Sequence, residues 1–117
     1  MKNILIVEDE SISAFLLEKQ LQNAGFAVIK VLATGEEAIT FINNNRPDII
    51  LMDIMLIGNI NGIEAVQYIN KNDNIPIIFL SGYGDKEIMR NAMKLKPIGY
   101  LIKPYNVNEL IELINST

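Results

Sequence analysis

Cysteine and histidine are both missing from this sequence. Without cysteine there is no disulfide framework, no thiolate nucleophile and no zinc–thiolate site. Without histidine there is no histidine general base, no histidine metal ligand and no phosphohistidine. No apolar run is long enough and free enough of charge to span a bilayer. The amino-terminal MKNILIVEDE turns acidic directly after Ile4-Leu5-Ile6-Val7, which is not the pattern of a signal peptide. Basic charge is also short: 10 lysines and arginines against 14 acids give a formal charge of −4. A chain without a basic face is not built to hold nucleic acid. What remains is a 117-residue chain, 50% apolar, of a size for one compact domain over 1–117, expected to be soluble and cytoplasmic.

Short apolar runs alternate with helical patterns along the whole length. Asn3–Val7 reads as a buried strand that stops at Glu8-Asp9-Glu10. Ser11 is placed to cap a helix carrying Ile12, Phe15, Leu16, Leu17, Leu21 and Ala24, and Gly25 supplies a left-handed stop. Phe26–Leu32 is a second strand, mixed enough for an edge, and Thr34-Gly-Glu-Glu37 is a capping-box pattern opening a second helix with Ala38, Phe41 and Ile42 on one face. Asn43 to Pro47 breaks it. Ile49–Met52 is too brief for an ordinary helix and reads as a strand buried on both faces, with Asp53 at its carboxyl end.

After Gly62 a third helix turns Ile63, Val66 and Ile69 inward. Ile75–Leu80 is a fourth strand with Pro76 near its start, where proline is tolerated, and Ser81-Gly82 ends it. Asp85 caps a fourth helix with Ile88, Met89, Ala92 and Met93. Ile98–Ile102 is a fifth strand ending at Lys103-Pro104, and Asn106 with Glu109 opens a last helix bearing Val107, Leu110, Ile111 and Ile114. Five strands alternating with five helices imply an α/β fold, a parallel sheet covered on both faces. Right-handed crossovers then require the strand order to reverse, and ligands bind outside the carboxyl ends of the strands at that point.

At those ends the sequence leaves Glu8 and Asp9, Asp53, Ser81 and Lys103, from four different strands. Carboxylates sharing one rim repel each other unless a cation joins them. Hard oxygen donors without histidine or cysteine select magnesium, with manganese able to take its place. One lysine is too little to neutralise three acids but suits one oxygen of a phosphoryl group, and a serine hydroxyl suits another. Asp53 is then placed to attack phosphorus and carry an acyl phosphate.

These residues resemble the receiver domains of two-component response regulators over essentially the full length. The resemblance rests on the acid pair in IVEDE, Asp53 in ILMDIML, Ser81-Gly82 after IIFL, and Tyr100-Leu-Ile-Lys-Pro104. It implies a flavodoxin-like, five-stranded parallel sheet in the order 2-1-3-4-5. It implies phosphorylation of Asp53 by a histidine kinase or phosphotransfer protein, in a chain that catalyses only its own phosphorylation and dephosphorylation. Magnesium would be held by Asp9, Asp53 and the backbone carbonyl of Met55, with Glu8 acting largely through water. Lys103 would contact the phosphoryl group and the Lys103–Pro104 bond would be cis. Ser81 and Tyr100 would form the switch, repositioning the fourth helix, fifth strand and last helix as the face for a downstream protein target. The chain would be a monomer or a phosphorylation-dependent dimer, without nucleic-acid or membrane partners.

Two departures from the family pattern stand out. Leu56-Ile57-Gly58 follows Met55 where many receivers carry a proline, and Gly62 falls one residue late, so a longer and more mobile loop is expected over the site. Met55 and Tyr83, two residues beyond Asp53 and Ser81, are bulky; in the family these positions face the attacking water, so both are expected to slow acyl-phosphate hydrolysis. Two rival readings fit less well. A haloacid-dehalogenase-like phosphohydrolase wants a second aspartate where Met55 stands, and a flavodoxin would set its phosphate against Glu8-Asp9-Glu10. With no linker or output segment in the sequence, a stand-alone chain is expected to act by docking or by relaying phosphate. The alternative context is a receiver cut from a larger kinase or multidomain regulator.

Overall fold

A computed structural model describes every residue except Tyr83. Strands and helices alternate: β1 (Asn3–Val7), α1 (Ser11–Asn23), β2 (Ala27–Leu32), α2 (Gly35–Ile42), β3 (Ile49–Asp53), α3 (Gly62–Ile69), β4 (Ile77–Ser81), α4 (Lys86–Met93), β5 (Gly99–Ile102) and α5 (Val107–Asn115). All neighbouring strands are parallel, in the order β2-β1-β3-β4-β5. This is the flavodoxin-like receiver arrangement read from the sequence, with β2 at an edge. The chain moves outward from β1 to β2 and then returns across β1 to β3. The crevice opens at the carboxyl ends of β1 and β3, where the order reverses.

Side chains alternate across a strand with period two, and that alternation sorts the core into two layers. Leu5, Val7, Ile50, Met52, Ile77 and Phe79 pack with Ala38, Val66 and Ala92, beneath α2, α3 and α4. Ile4, Ile6, Ile49, Leu51, Ile78 and Leu80 pack with Leu17, Leu21, Leu110 and Ile114, beneath α1 and α5. The central strands are therefore apolar throughout because both of their faces are covered.

Several local expectations shift. The residue preceding α1 in cap position is Glu10, without a side-chain cap, and Ser11 is already helical. Only Ala14, Leu17 and Leu21 of α1 are buried. Ile12, Phe15 and Leu16 point outward at 78%, 54% and 57% exposure, because a helix on one side of a sheet has a single inward stripe. Thr34 caps α2 as expected, accepting the Glu37 N–H, but its hydroxyl donates to the Glu37 carboxylate instead of the reciprocal backbone bond of a full box. A full box forms instead at Asn61 and Glu64, opening α3. β4 begins at Ile77 rather than Ile75, since Pro76 has no N–H for the ladder and only its carbonyl serves, accepting from Ile50. Gly25 has the left-handed φ of +94° expected of a helix stop, and Asp85 caps α4 through the Glu87 and Ile88 N–H groups. Among the described residues no helix is long and apolar enough to cross a membrane.

Candidate functional site

Register brings the reactive groups to one level. Val7 pairs with Met52, so Glu8 stands beside Asp53; Asp53 pairs with Leu80; Ser81 pairs with Ile102, one residue before Lys103. Alternation then sets which way each points. Glu8 continues the Ile4–Ile6 row, Asp53 the Ile49–Leu51 row, and Lys103 follows Leu101, all of them on the α1/α5 face. Ser81 follows Ile77 and Phe79, and Tyr100 packs with the same layer, so these two belong to the opposite, α3/α4 face. Alternation thus assigns the acids and the amine to one face and Ser81 and Tyr100 to the other, with Ser81 still at the same carboxyl-end rim as Asp53.

On the first side, the Lys103 Nζ donates to Glu8 Oε1 at 2.6 Å and to Asp53 Oδ2 at 3.1 Å. Glu8 and Asp53 are buried, and Lys103 is half-buried. Burial works against the ammonium, but its hydrogen bonds to Glu8 and Asp53, and their charges, outweigh burial and raise Lys103 above its ordinary 10.5. Asp9 completes the set: Glu8, Asp9 and Asp53 each offer an oxygen, all within 4.8 Å of one another. Three carboxylates against one ammonium leave negative charge in excess, and the donors are hard oxygens throughout. Such a set fits a small divalent cation. The Met55 N–H meets Asp53 Oδ1 at 3.3 Å, orienting the carboxylate from the loop side, while the Met55 side chain is exposed.

Ser81 is buried and its carbonyl accepts the Lys103 N–H at 2.7 Å. The Lys103–Pro104 peptide is cis. Tyr100 is half-buried with its ring 6.5 Å from that of Phe79, and its buried hydroxyl has no hydrogen-bond partner among the described residues. Tyr83, expected to shield an acyl phosphate together with Met55, lies outside the described residues. Sequence reasoning missed Tyr105, whose phenol is pushed up by burial against the opposing charge of Lys103. It lines a groove of about 710 Å³ with Glu8, Lys103, Leu16 and Gln20. Its place straight after Lys103-Pro104 was the available signal.

The loop from Ile54 to Asn61, expected from its length to be mobile, makes three ties to its surroundings. Gly62 N–H donates to the Ile54 carbonyl at 2.8 Å, Thr34 and Ile57 form a parallel bridge, and the Asn59 N–H donates to Glu36 Oε2 at 2.8 Å.

Comparison with known proteins agrees with this geometry. Chemotaxis protein CheY of Thermotoga maritima is 31% identical, over 97% of this chain and 95% of its own length. Transcriptional regulatory protein PdtaR of Mycobacterium tuberculosis is 26% identical over 97% of this chain but 55% of its own length. The chain spans about half the length of several of the curated relatives it matches. Among solved structures, the signal receiver domain of a modulated diguanylate cyclase from Desulfovibrio desulfuricans superposes with a TM-score of 0.92 at 38% identity, covering 99% of this chain and 92% of that one. Residues 4–115 match the response regulator receiver domain family, and the chain belongs to it.

Proposed function

We propose that Asp53 is the phosphoacceptor of a two-component signalling system. The observation that carries this reading is the convergence of Glu8, Asp9, Asp53 and Lys103 at one rim. An Asp53 oxygen bonds to phosphorus as the P–N bond to a donor phosphohistidine breaks. The departing imidazole keeps the electron pair and takes its proton from solvent. Lys103, already within hydrogen-bonding distance of Asp53, turns to an oxygen of the arriving phosphoryl group, and the Ser81 hydroxyl serves another. Glu8, Asp9, Asp53 and the Met55 carbonyl would hold magnesium, or manganese in its place. Bound there, the ion offsets the charge gathering on the phosphoryl oxygens.

Ser81 and Tyr100 share the α3/α4 face, which supports a switch passing from the site to α4, β5 and α5 and so to a downstream protein. The groove beside Lys103 and Tyr105 gives a donor histidine kinase or phosphotransfer protein room beside the acceptor. The chain works in the cytoplasm as one receiver domain over 1–117, and chemistry confined to its own carboxylate makes it a signalling module rather than an enzyme acting on other substrates. The same site serves a chain of CheY-like length or a receiver carried by a longer regulator.

Mass spectrometry after incubation with acetyl phosphate and magnesium tests the acceptor. Wild type gains the mass of one phosphoryl group and Asp53→Asn gains none; equal gain in both would move the acceptor elsewhere. Thermal unfolding tests the cation. Magnesium at ten times its Kd stabilises wild type by about 1.4 kcal/mol. In Asp9→Asn the same addition has little effect, while the ion-free variant is at least as stable as wild type because one like charge is gone.

A further inference from the structure

The tie between α2 and the loop after β3 is made by a residue whose sequence role ended at opening a helix. Glu36 lies in the first turn of α2, where a negative charge is favoured. Its Oε2 accepts the Asn59 N–H at 2.8 Å. Its Oε1 is buried with no hydrogen-bond partner among the described residues. Room for the carboxylate exists because Gly58 has no side chain: a Cβ there would stand 2.8 Å from Oε1 and 3.2 Å from Oε2. Gly58 also has a φ of +106°, which other residues rarely adopt. Beside it, a Cβ on Gly35 would lie 3.0 Å from Ile60 Cδ1, so the loop packs directly on the start of α2.

Leaving one oxygen of a partly exposed carboxylate buried without a partner carries a cost, and closing a loop of this length does not require it. The loop's two ends are fixed within the β3–α3 unit, by Leu56 and Gly62 N–H groups on the Ile54 carbonyl. Its crown is held from outside, by the Thr34–Ile57 bridge and by Glu36. Met55 is held on one side by its own N–H on Asp53 Oδ1 and by the Leu56 N–H on the Ile54 carbonyl. On the other side it runs straight into the crown, so holding the crown adds to how well its carbonyl is placed.

We infer that Glu36 is a positioning residue: it latches residues 55–60 to α2 and so fixes the backbone of Met55 beside Asp53. This rests on the proposed use of the Met55 carbonyl, and it adds a residue on another element as the support of that ligand. Without the latch, Met55 explores more positions and binding a cation must order them first.

The experiment compares wild type, Glu36→Ala, Glu36→Gln and Gly58→Ala by amide hydrogen exchange without any ion, and by calorimetric titration with magnesium alone. In Glu36→Ala, residues 55–60 exchange about tenfold faster and magnesium binds about tenfold more weakly. Glu36→Gln keeps an acceptor for the Asn59 N–H and restores most of both. Gly58→Ala drives the carboxylate from its seat but also strains a backbone at φ +106°. It therefore exchanges at least as fast as Glu36→Ala, and Glu36→Gln is the variant that isolates the carboxylate's part. Unchanged exchange at 55–60 overturns the latch, and faster exchange with unchanged magnesium affinity overturns its positioning role. A wild type that binds no magnesium tells instead against the phosphoacceptor reading, and the exchange comparison still decides the latch.

Discussion

Gly62→Ala is expected to destabilise the chain by about 3 kcal/mol or more, the range reached when a side chain is forced into filled space. A Cβ at this position would stand 2.1 Å from the Asp53 carbonyl oxygen and 2.9 Å from both the Asp53 carbonyl carbon and the Ile54 Cα. Every one of these atoms is backbone, so no side chain can rotate away. Either α3 lifts from the sheet or the end of β3 bends. Lifting α3 breaks the 2.8 Å bond from the Gly62 N–H to the Ile54 carbonyl and unseats the Asn61–Glu64 box. Bending β3 displaces Asp53 itself. A loss of that size lowers the melting temperature by roughly 12–15 °C for a chain of this length. The phosphoryl acceptance proposed for Asp53 falls with it, about 100-fold for a displacement near 1 Å. Circular dichroism melting and phosphorylation kinetics on the folded fraction check both parts. A variant melting within about 3 °C of wild type would mean that the two elements part without cost.

How far the sequence could be read follows from the range over which each feature is determined. Strand identity was legible because Ile49–Met52 and its counterparts are short, apolar and punctuated, and the reacting residues were legible because each directly follows such a run. The grouping of Glu8, Asp53 and Lys103 on one face was also legible, since alternation from Ile6, Leu51 and Leu101 carries each of them to the same side. Stripe assignment on α1 was not, because Ile12, Phe15 and Leu16 match helical spacing as well as Leu17 and Leu21 do. Only the position of the sheet decides between them.

Two features of the β3–α3 loop show opposite failures. The Asn61-x-x-Glu64 box stands in the sequence directly around the helix start at Gly62, yet only the glycine served as the signal there. The Glu36–Asn59 contact was invisible, for it joins residues 23 apart through a glycine conformation that no composition reveals. The length of a loop, which is legible, therefore says nothing of a hydrogen-bond partner on a different element.

Replacing Lys103 with methionine is expected to cost about 2 kcal/mol at pH 7. Breaking a buried ion pair from one side typically costs 3–5 kcal/mol, and the lower figure allows for a lysine that water reaches in part. The Lys103 side chain is 31% exposed, against 4% for Glu8 and 6% for Asp53. Methionine preserves the stem's volume, so the loss measures the ammonium. Two carboxylates then face each other with no cation between them. The pH dependence has a definite sign. Lys103 is raised above 10.5 in the folded chain, so its stabilisation is complete below the unfolded lysine value and is lost as pH climbs through the folded one. Wild type and Lys103→Met therefore differ by a constant amount at neutral and mildly alkaline pH, and their stabilities converge only above 10.5. The Tyr105 phenol, also raised by burial, destabilises both chains in the same alkaline range, and more so in Lys103→Met, where the opposing charge of the lysine is gone. Magnesium narrows the gap from the other direction: an ammonium and a cation sharing Glu8 and Asp53 compete, so removing one tightens the other. Urea denaturation across pH, with and without magnesium, reads all three effects. Equal stability of the two proteins at pH 7 would show that solvent alone neutralises Glu8 and Asp53, and that the lysine is held ready for an incoming anion without supporting the fold.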